Sequence, residues 1–463
     1  MIRPRVAGRQ QTYGGAHPVV IHVAAEPIRR SHSAEGRVYT SSLNMRVAVI
    51  FLVLVALFAD DDDWPRFRGP DNNGVARGDV PLEFSATKNL AWKAHIPGRG
   101  HSSPVIWGDK IFLTTAVPTD GGDEYAPHLR KEHRFVVMCL NRNTGKILWE
   151  RTARTATPPD GHQIPYGSYA SNIPVTDGKR LYAFWESRGI FVFDLDGNLQ
   201  WQKDFPQMHK RGEFGEGTPT MLDGDTLFLK FDQEQNSHLI ALDKNSGKEL
   251  WRVERAEPSS WSPPLMITHN GKKQLVVAGT RVRSYDPATG KSIWECAGLG
   301  LNSIPAPVSA NGVVYVMTGF QNPNMLAIRV DREGDLTGTD AVLWSTNRGT
   351  PYNPSPVLKD DILYFISDTA MLGAFKASTG EAYYRQTRLP GAYSLKSSPV
   401  AVNGKLYVAT EQGDVVVVKM GEQFEVLATN SMGDDMFIAT PAVAGSSLYL
   451  RGKNTLYCIR RAQ

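Results

Sequence analysis

The stretch ALDKNSGKELW, residues 241–251, decides the fold, because its second half is written more than once. NSGKELW (245–251) returns as NTGKILW (143–149) and as ATGKSIW (288–294). In this phrase Asp243 opens a turn, Gly247 supplies a left-handed backbone position, and Lys248 to Trp251 begin a new strand. A turn and a tryptophan repeated at intervals point to one structural unit used several times.

Working outward, a second phrase precedes each of these turns: a proline, an apolar pair, a tight turn and an aromatic strand, as in SSPVAVNGKLY (397–407). It occurs eight times, with prolines at Pro104, Pro174, Pro219, Pro264, Pro307, Pro356, Pro399 and Pro441. After a first interval of 70 residues the spacings are 45, 45, 43, 49, 43 and 42. A period near 45 signals a propeller or solenoid. Alternation within each repeat has a period of two, so the elements are strands. The Asn-Gly and Asp-Gly pairs at 177–178, 223–224, 270–271, 311–312 and 403–404 predict type I′ hairpins between strands one and two. Four antiparallel strands per repeat make a propeller blade. Proline on strand one fits an inner edge, where its missing N–H breaks no ladder bond.

The repeated tryptophan then has a packing role. The face of each blade must be covered by the next, and a large flat side chain near the outer strand can fill the gap. Trp149, Trp201, Trp251, Trp294 and Trp344 hold that place, with Tyr384 and Phe424 as substitutes. An indole burying about 150–250 Å² contributes roughly 4–6 kcal/mol as an upper bound. The eighth repeat has only three strands before Gln463, and the missing one stands at the other end in NLAWKAHIPG (89–98), around Trp92. The expected fold is all-β: an eight-bladed propeller over residues 89–463, its last blade completed by the strand at Trp92 so that no edge stays open. DWPRFRGPDNNGV (63–75), within a loop-rich lead-in over 60–88, is expected to cover an end or flank.

The N-terminal text reads differently. Met45 and Arg46 precede an apolar run from Val47 to Phe58, then Ala59 and an acidic run. This run is too short for a bilayer span, which needs about 20 residues, and it has the form of a secretory signal over 45–59. Residues 1–44 read as a mis-assigned start or a disordered leader, and 60–463 as the exported chain, periplasmic or secreted, without a transmembrane span. The net charge of +4 does not suggest nucleic acid, because seven arginines against two glutamates in residues 1–59 account for it. Cys139, Cys296 and Cys458 are far apart in apolar strand text and read as small buried hydrophobes.

Of the other candidate sites, PTDGGDEYAPHLRKEHRF (118–135) carries His128 and His133 at an offset that shares neither a helix face nor a strand face, and it reads as an exposed loop. DREGDLTGTD (331–340) lacks the glycine and closing glutamate of a calcium loop and reads as a long loop before Trp344. No GxSxG, HExxH, phosphate-loop or dinucleotide fingerprint occurs.

Ala241, Asp243, Gly247, Lys248 and Trp251 resemble the tryptophan-docking motif of the pyrroloquinoline quinone (PQQ) propeller repeats. These repeats occur in quinoprotein dehydrogenases and in the BamB-type outer-membrane assembly scaffold. The resemblance spans essentially all of 60–463 and implies the fold. It implies two classes of function, since the family holds cofactor enzymes and non-catalytic scaffolds. The residues just before strand one of each blade are expected at the channel mouth: His101, Ser171, Glu216, Trp261, Asn302, Asn353, Lys396 and Phe437. Among them Glu216, Trp261, Asn302, Asn353 and Lys396 are similar, in order, to the Glu, Trp, Asn, Asp and basic residue with which quinoprotein dehydrogenases hold calcium and quinone. Asn353 stands where the resemblance implies a catalytic, metal-binding aspartate, and an amide is no general base. A vicinal Cys-Cys, a haem motif and a lipid-anchor cysteine are all missing. The expectation is an exported, monomeric, non-catalytic propeller that binds a protein, peptide or saccharide and needs no cofactor. The alternative is a periplasmic PQQ-dependent alcohol or sugar dehydrogenase using calcium.

Overall fold

Residues 63–121 and 131–461 are described by a computed structural model. The leader 1–44, the signal segment 45–59 and His128 lie outside them. The described residues form eight sheets, each built on four antiparallel strands laid down in chain order. Blade 1 consists of Val105–Trp107, Lys110–Pro118, His133–Asn141 and Ile147–Ala156. Blades 2 to 7 span 175–203, 221–254, 265–297, 308–346, 357–388 and 400–431. Blade 8 takes Ala442–Ala444, Ser447–Arg451 and Thr455–Ile459, and its outer strand is Leu90–His95, antiparallel to the last, with Trp92 opposite Cys458. The short strand after each proline is the inner one. Val105–Trp107 lies beside both Val175–Thr176 and Ala442–Ala444, so the first and last blades are neighbours.

The hairpin chemistry is only partly as the dipeptides predict. Asn270, Asn311 and Asn403 take positive φ with the glycines that follow them, forming two-residue loops. At Asp223-Gly224 the loop slips one residue, because Asp223 pairs with Thr226 and leaves Gly224 and Asp225 to turn. At Asp177-Gly178 the loop has four residues, 177–180, because the Asp177 carboxylate accepts the N–H groups of Lys179 and Arg180. A carboxylate that captures nearby backbone N–H groups makes its own turn.

The apolar core is distributed between blades rather than gathered at one centre. Phe112, Phe135 and Cys139 of blade 1 pack on Leu181, Phe191 and Phe193 of blade 2, and comparable clusters join each later pair. At the outer edge of five of these interfaces an indole completes the contact. Nε1 of Trp92, Trp149, Trp201, Trp251 and Trp344 donates to a carbonyl of the next blade, at Arg142, Leu195, Lys244, Pro287 and Ala377, over 2.8–3.1 Å. Each ring lies against the glycine of the next blade's turn, as Trp201 does against Gly247. Gly247 has φ +69°, and an added Cβ would stand 2.7 Å from the Trp201 ring, so glycine serves both the turn and the close approach.

Trp294 departs from its expected place. It is 1% exposed, its Nε1 donates to Gln274 Oε1 in its own blade at 2.8 Å, and Gly334–Asp335 runs parallel beside it. The segment 331–340 is therefore not a plain loop. It lays a fifth strand on blade 4, and the glycines of the next blade's connection, Gly334 and Gly338, do not lie against the indole. Tyr384 meets Phe424 edge to face at 5.8 Å, so these two form a pair with each other. The three cysteines are buried and unpaired with one another.

The lead-in, expected to cover an end or flank, crosses the channel. Trp64 bridges to Ile106, Pro65 accepts from Thr176 N, and Arg66 donates to Leu222 O, in blades 1, 2 and 3. Arg68, 1% exposed, donates to Pro356 O at 2.7 Å and Pro399 O at 2.6 Å, in blades 6 and 7 opposite. Val75–Ala76 then pairs parallel with Val400–Val402. Prolines on the inner strands leave carbonyls without ladder partners, and a guanidinium is the side chain with enough donors to satisfy several at once.

We expect Gly247→Ala to lower the free energy of urea unfolding by about 2–3 kcal/mol, through left-handed strain and displacement of the Trp201 ring. Gly224→Ala adds a methyl that meets nothing within 4 Å, and it should cost only the strain, about 1 kcal/mol. Equal effects of the two substitutions would show that the indole contact contributes nothing.

Candidate functional site

The residues that lead into the inner strands converge on one mouth of the channel, where a pocket encloses about 1050 Å³ of empty space, part of it open to solvent. Phe67 of the lead-in is its floor, so the plug makes the channel blind. Trp261, Glu216, Asn353 and Lys396 line it, as do His101 and Ser171. Asn302 is not among the lining residues. It is 1% exposed and its Nδ2 donates to Tyr352 Oη at 3.2 Å, so it stands behind Tyr352, which does line the pocket. Phe437 is buried against Tyr457 and also stays out.

Each lining group is anchored from behind. Trp261 Nε1 donates to Gly215 O at 2.8 Å, and the buried Lys210 Nζ stands 5.3 Å from its ring centroid. The Glu216 side chain, 6% exposed, accepts from Arg188 Nη1 at 2.6 Å, from Ser187 N at 3.1 Å and from Ser187 Oγ. Burial raises its pKa, with the neighbouring Glu186 adding and Arg188 opposing. Asn353 donates through N and Nδ2 to Asp368, whose Oδ1 is 3.4 Å from Lys396 Nζ. Lys396 also lies 3.7 Å from Glu411 and 4.8 Å from the Tyr166 ring centroid.

Behind this wall runs a chain of buried charges. Glu186 accepts from Gly217 N at 2.9 Å and lies 3.4 Å from Lys210 Nζ. Lys210 donates to Asp232 O, and Asp232 takes a two-point contact from Arg255 while lying 3.6 Å from Lys230. Burial pulls the Lys230 ammonium down to about 7, against the attraction of Asp232. Burial works to raise the Asp232 carboxyl, yet Arg255 and Lys230 outweigh it and bring it to about 2.

His101 differs from the rest. Burial, with Arg99, Arg451 and His162, drives its pKa well below the ordinary histidine value, against a hydrogen bond with the Gly167 backbone. Nearby, Tyr169 stands edge-on between His133 and His162. His133 begins strand three of blade 1 and its Nδ1 lies 2.7 Å from Lys131 O, so it does not belong to an exposed loop. Among the described residues no group of three or more His, Cys, Asp or Glu side chains could hold a metal ion.

Four contributors escaped the sequence reading: Asp368, Arg188, Tyr166 and Phe67. One signal was available for Tyr166. The first proline interval, 70 residues against about 45, marks extra chain between blades 1 and 2, and part of it, 157–172, brings Gln163, Tyr166 and Ser171 to the pocket.

His101, His133, His162 and His238 are all held below the ordinary value of 6.5, His162 at about 4, chiefly by burial. The unfolded chain therefore takes up protons that the folded chain refuses as pH falls below 6.5. Stability should be complete above pH 6.5 and decline from there toward pH 4. Urea midpoints measured across that range should fall, and the fall should be smaller in His162→Gln. A flat profile, or one that His162→Gln leaves unchanged, would contradict this.

The family model for the outer membrane protein assembly factor BamB matches residues 133–386. No curated protein matches the chain. Among solved structures, BamB from Moraxella catarrhalis is 13% identical, covering 80% of this chain and 97% of its own at a TM-score of 0.55. The quinohemoprotein alcohol dehydrogenase of Comamonas testosteroni is 10% identical over 88% of this chain and 82% of its own, at 0.60. The computationally designed Ika8 protein is 10% identical over 80% and 99%, at 0.56. At these identities the structures speak for the fold alone. No helix among the described residues is long and apolar enough to cross a membrane. With eight four-stranded blades and a family match over more than half its length, the chain belongs to the BamB-type, PQQ-like β-propeller family.

Proposed function

We propose that the chain is an exported, non-catalytic binding module that offers the channel-mouth pocket to a protein, peptide or saccharide partner. The observation that carries this reading is the pocket itself: blind at Phe67, walled by side chains from several blades, and preorganised by bonds behind each lining group. Preorganisation lowers the entropy cost of binding and needs no chemistry at the site. The BamB family supports a binding or scaffold role, and export rests on the apolar run at 47–58.

A PQQ-dependent dehydrogenase is the second reading, favoured by the convergence of Glu216, Trp261, Asn353 and Lys396. The donor set does not fit its calcium. Both Glu216 oxygens already accept bonds, one of them from the Arg188 guanidinium, and the amide nitrogen of Asn353 is turned to Asp368. A hard cation needs six to eight oxygens, and a guanidinium at 2.6 Å occupies the carboxylate it would use.

Two measurements on the full-length chain separate these readings. Titration with PQQ and calcium, followed by absorbance and dye-linked alcohol or aldose oxidation, should show neither saturable binding nor turnover. Binding to peptide and oligosaccharide panels should include ligands lost on Trp261→Ala. Quinone binding with turnover would establish the dehydrogenase instead.

A further inference from the structure

We infer that the channel-mouth pocket takes a neutral pyranose unit of a saccharide, stacked on Trp261. This rests on the binding-module reading and names the ligand class of that same site. Three features of the pocket lead to it.

The first is charge. Of the lining side chains only Glu216 and Lys396 carry formal charge, and each has its own counter-ion: Arg188 for Glu216, Asp368 and Glu411 for Lys396. Burial of His101, with Arg99 and Arg451 beside it, opposes a positive charge on its ring. An anionic ligand would approach a lysine already facing two carboxylates, and a cationic one would approach a glutamate already held by arginine. Neither gains an ion pair that repays its loss of hydration.

The second is shape. Trp261 is fixed at both ends of its indole, by the bond from Nε1 to Gly215 and by the packing of Phe214 at 6.5 Å, and Lys210 backs the ring. Tyr352 is likewise braced, stacked on Phe320 at 5.2 Å. Rigid aromatic surfaces beside polar groups suit a ligand with an apolar C–H face and a polar rim. The cavity holds about 210 Å³, room for a single sugar ring, and its open side lets a longer chain leave.

The third is hydrogen bonding. Gln163, an exposed lining residue, carries an amide that both donates and accepts, which suits a hydroxyl, itself both donor and acceptor. Asn353, whose amide nitrogen is turned to Asp368, keeps Oδ1 to accept from a further hydroxyl. A pyranose carries both the flat C–H face and the ring of hydroxyls in one rigid body, whereas a peptide backbone has only single-role N–H and C=O groups.

The test is calorimetry on the full-length protein with neutral trisaccharides of glucose, galactose and mannose, with trigalacturonate as the charged counterpart and with a panel of capped peptides. The expected result is saturable binding of at least one neutral trisaccharide, changing less than about twofold between roughly 0.05 and 0.5 M NaCl. Trp261→Ala should weaken it about tenfold or more, while Trp261→Phe, which keeps an aromatic face, should stay within a few-fold. Gln163→Ala, which removes the exposed amide, should also weaken it, about threefold or more. Thermal melting of each variant reports on its fold, so that a loss of binding in a folded protein is attributable to the pocket. Preference for trigalacturonate, strong salt dependence, or neutral-sugar binding indifferent to Trp261 overturns the inference. Peptides that bind through Trp261 while every neutral sugar fails would overturn it too and leave the binding-module reading standing. Failure of all ligands would remove both.

Discussion

An indole seated on the neighbouring blade's glycine turn is the contact on which the rest of this structure depends. A four-stranded blade has two faces and can cover neither alone, so each must be closed by the next, and the apolar clusters accordingly lie between blades. At five interfaces the outer end is sealed by an indole that both packs on the glycine and donates to a carbonyl. Phenylalanine could supply the first part but not the second, and a side chain at the turn would exclude both. Trp294 shows the same requirement met by other means. Where no glycine of the next blade lies against it, the ring bonds Gln274 within its own blade and a short added strand runs beside it.

The same geometry creates a problem at the centre, where proline-bearing inner strands leave carbonyls facing the channel. The lead-in resolves it. Arg68 reaches the carbonyls of Pro356 and Pro399, and Gly74, whose Cβ would fall 2.0 Å from its guanidinium, leaves room for it. Burial without a carboxylate partner holds the Arg68 pKa down at about 9. A channel crossed by chain is a pocket with a floor, open at the opposite mouth.

The wall of that pocket is held by charges that the pocket does not see. Glu216 with Arg188, Glu186 with Lys210, and Asp232 with Lys230 and Arg255 form a buried series in which nearly every carboxylate has its cation. Removing one member of such a series leaves a buried charge uncompensated, which typically costs 3–5 kcal/mol. The one carboxylate that lines the pocket, Glu216, is therefore already satisfied by arginine.

The blade count, the strand order within a blade and the location of the mouth were legible because they follow from local patterns repeated at a fixed period. A proline marks an edge, a two-residue turn marks a hairpin, and an alternating run marks a strand. Glu216, Trp261, Asn353 and Lys396 could be placed at the mouth for the same reason, each standing just before an inner strand. Asn302 occupies the equivalent sequence position but lies behind Tyr352, since one turn of backbone at φ +56° suffices to bury it. Nothing local announces that Asp368 will take the Asn353 amide, that Arg188 will neutralise Glu216, or that Phe67 will line the pocket, because Asp368 and Arg188 lie 15 and 28 residues from what they meet and Phe67 meets residues far along the chain. By itself, then, the sequence determined the repeating unit and its assembly into a ring, which short-range backbone and packing preferences dictate. Only the tertiary structure decided the charge and depth of the pocket, because ion pairing and burial depend on which distant groups are brought together.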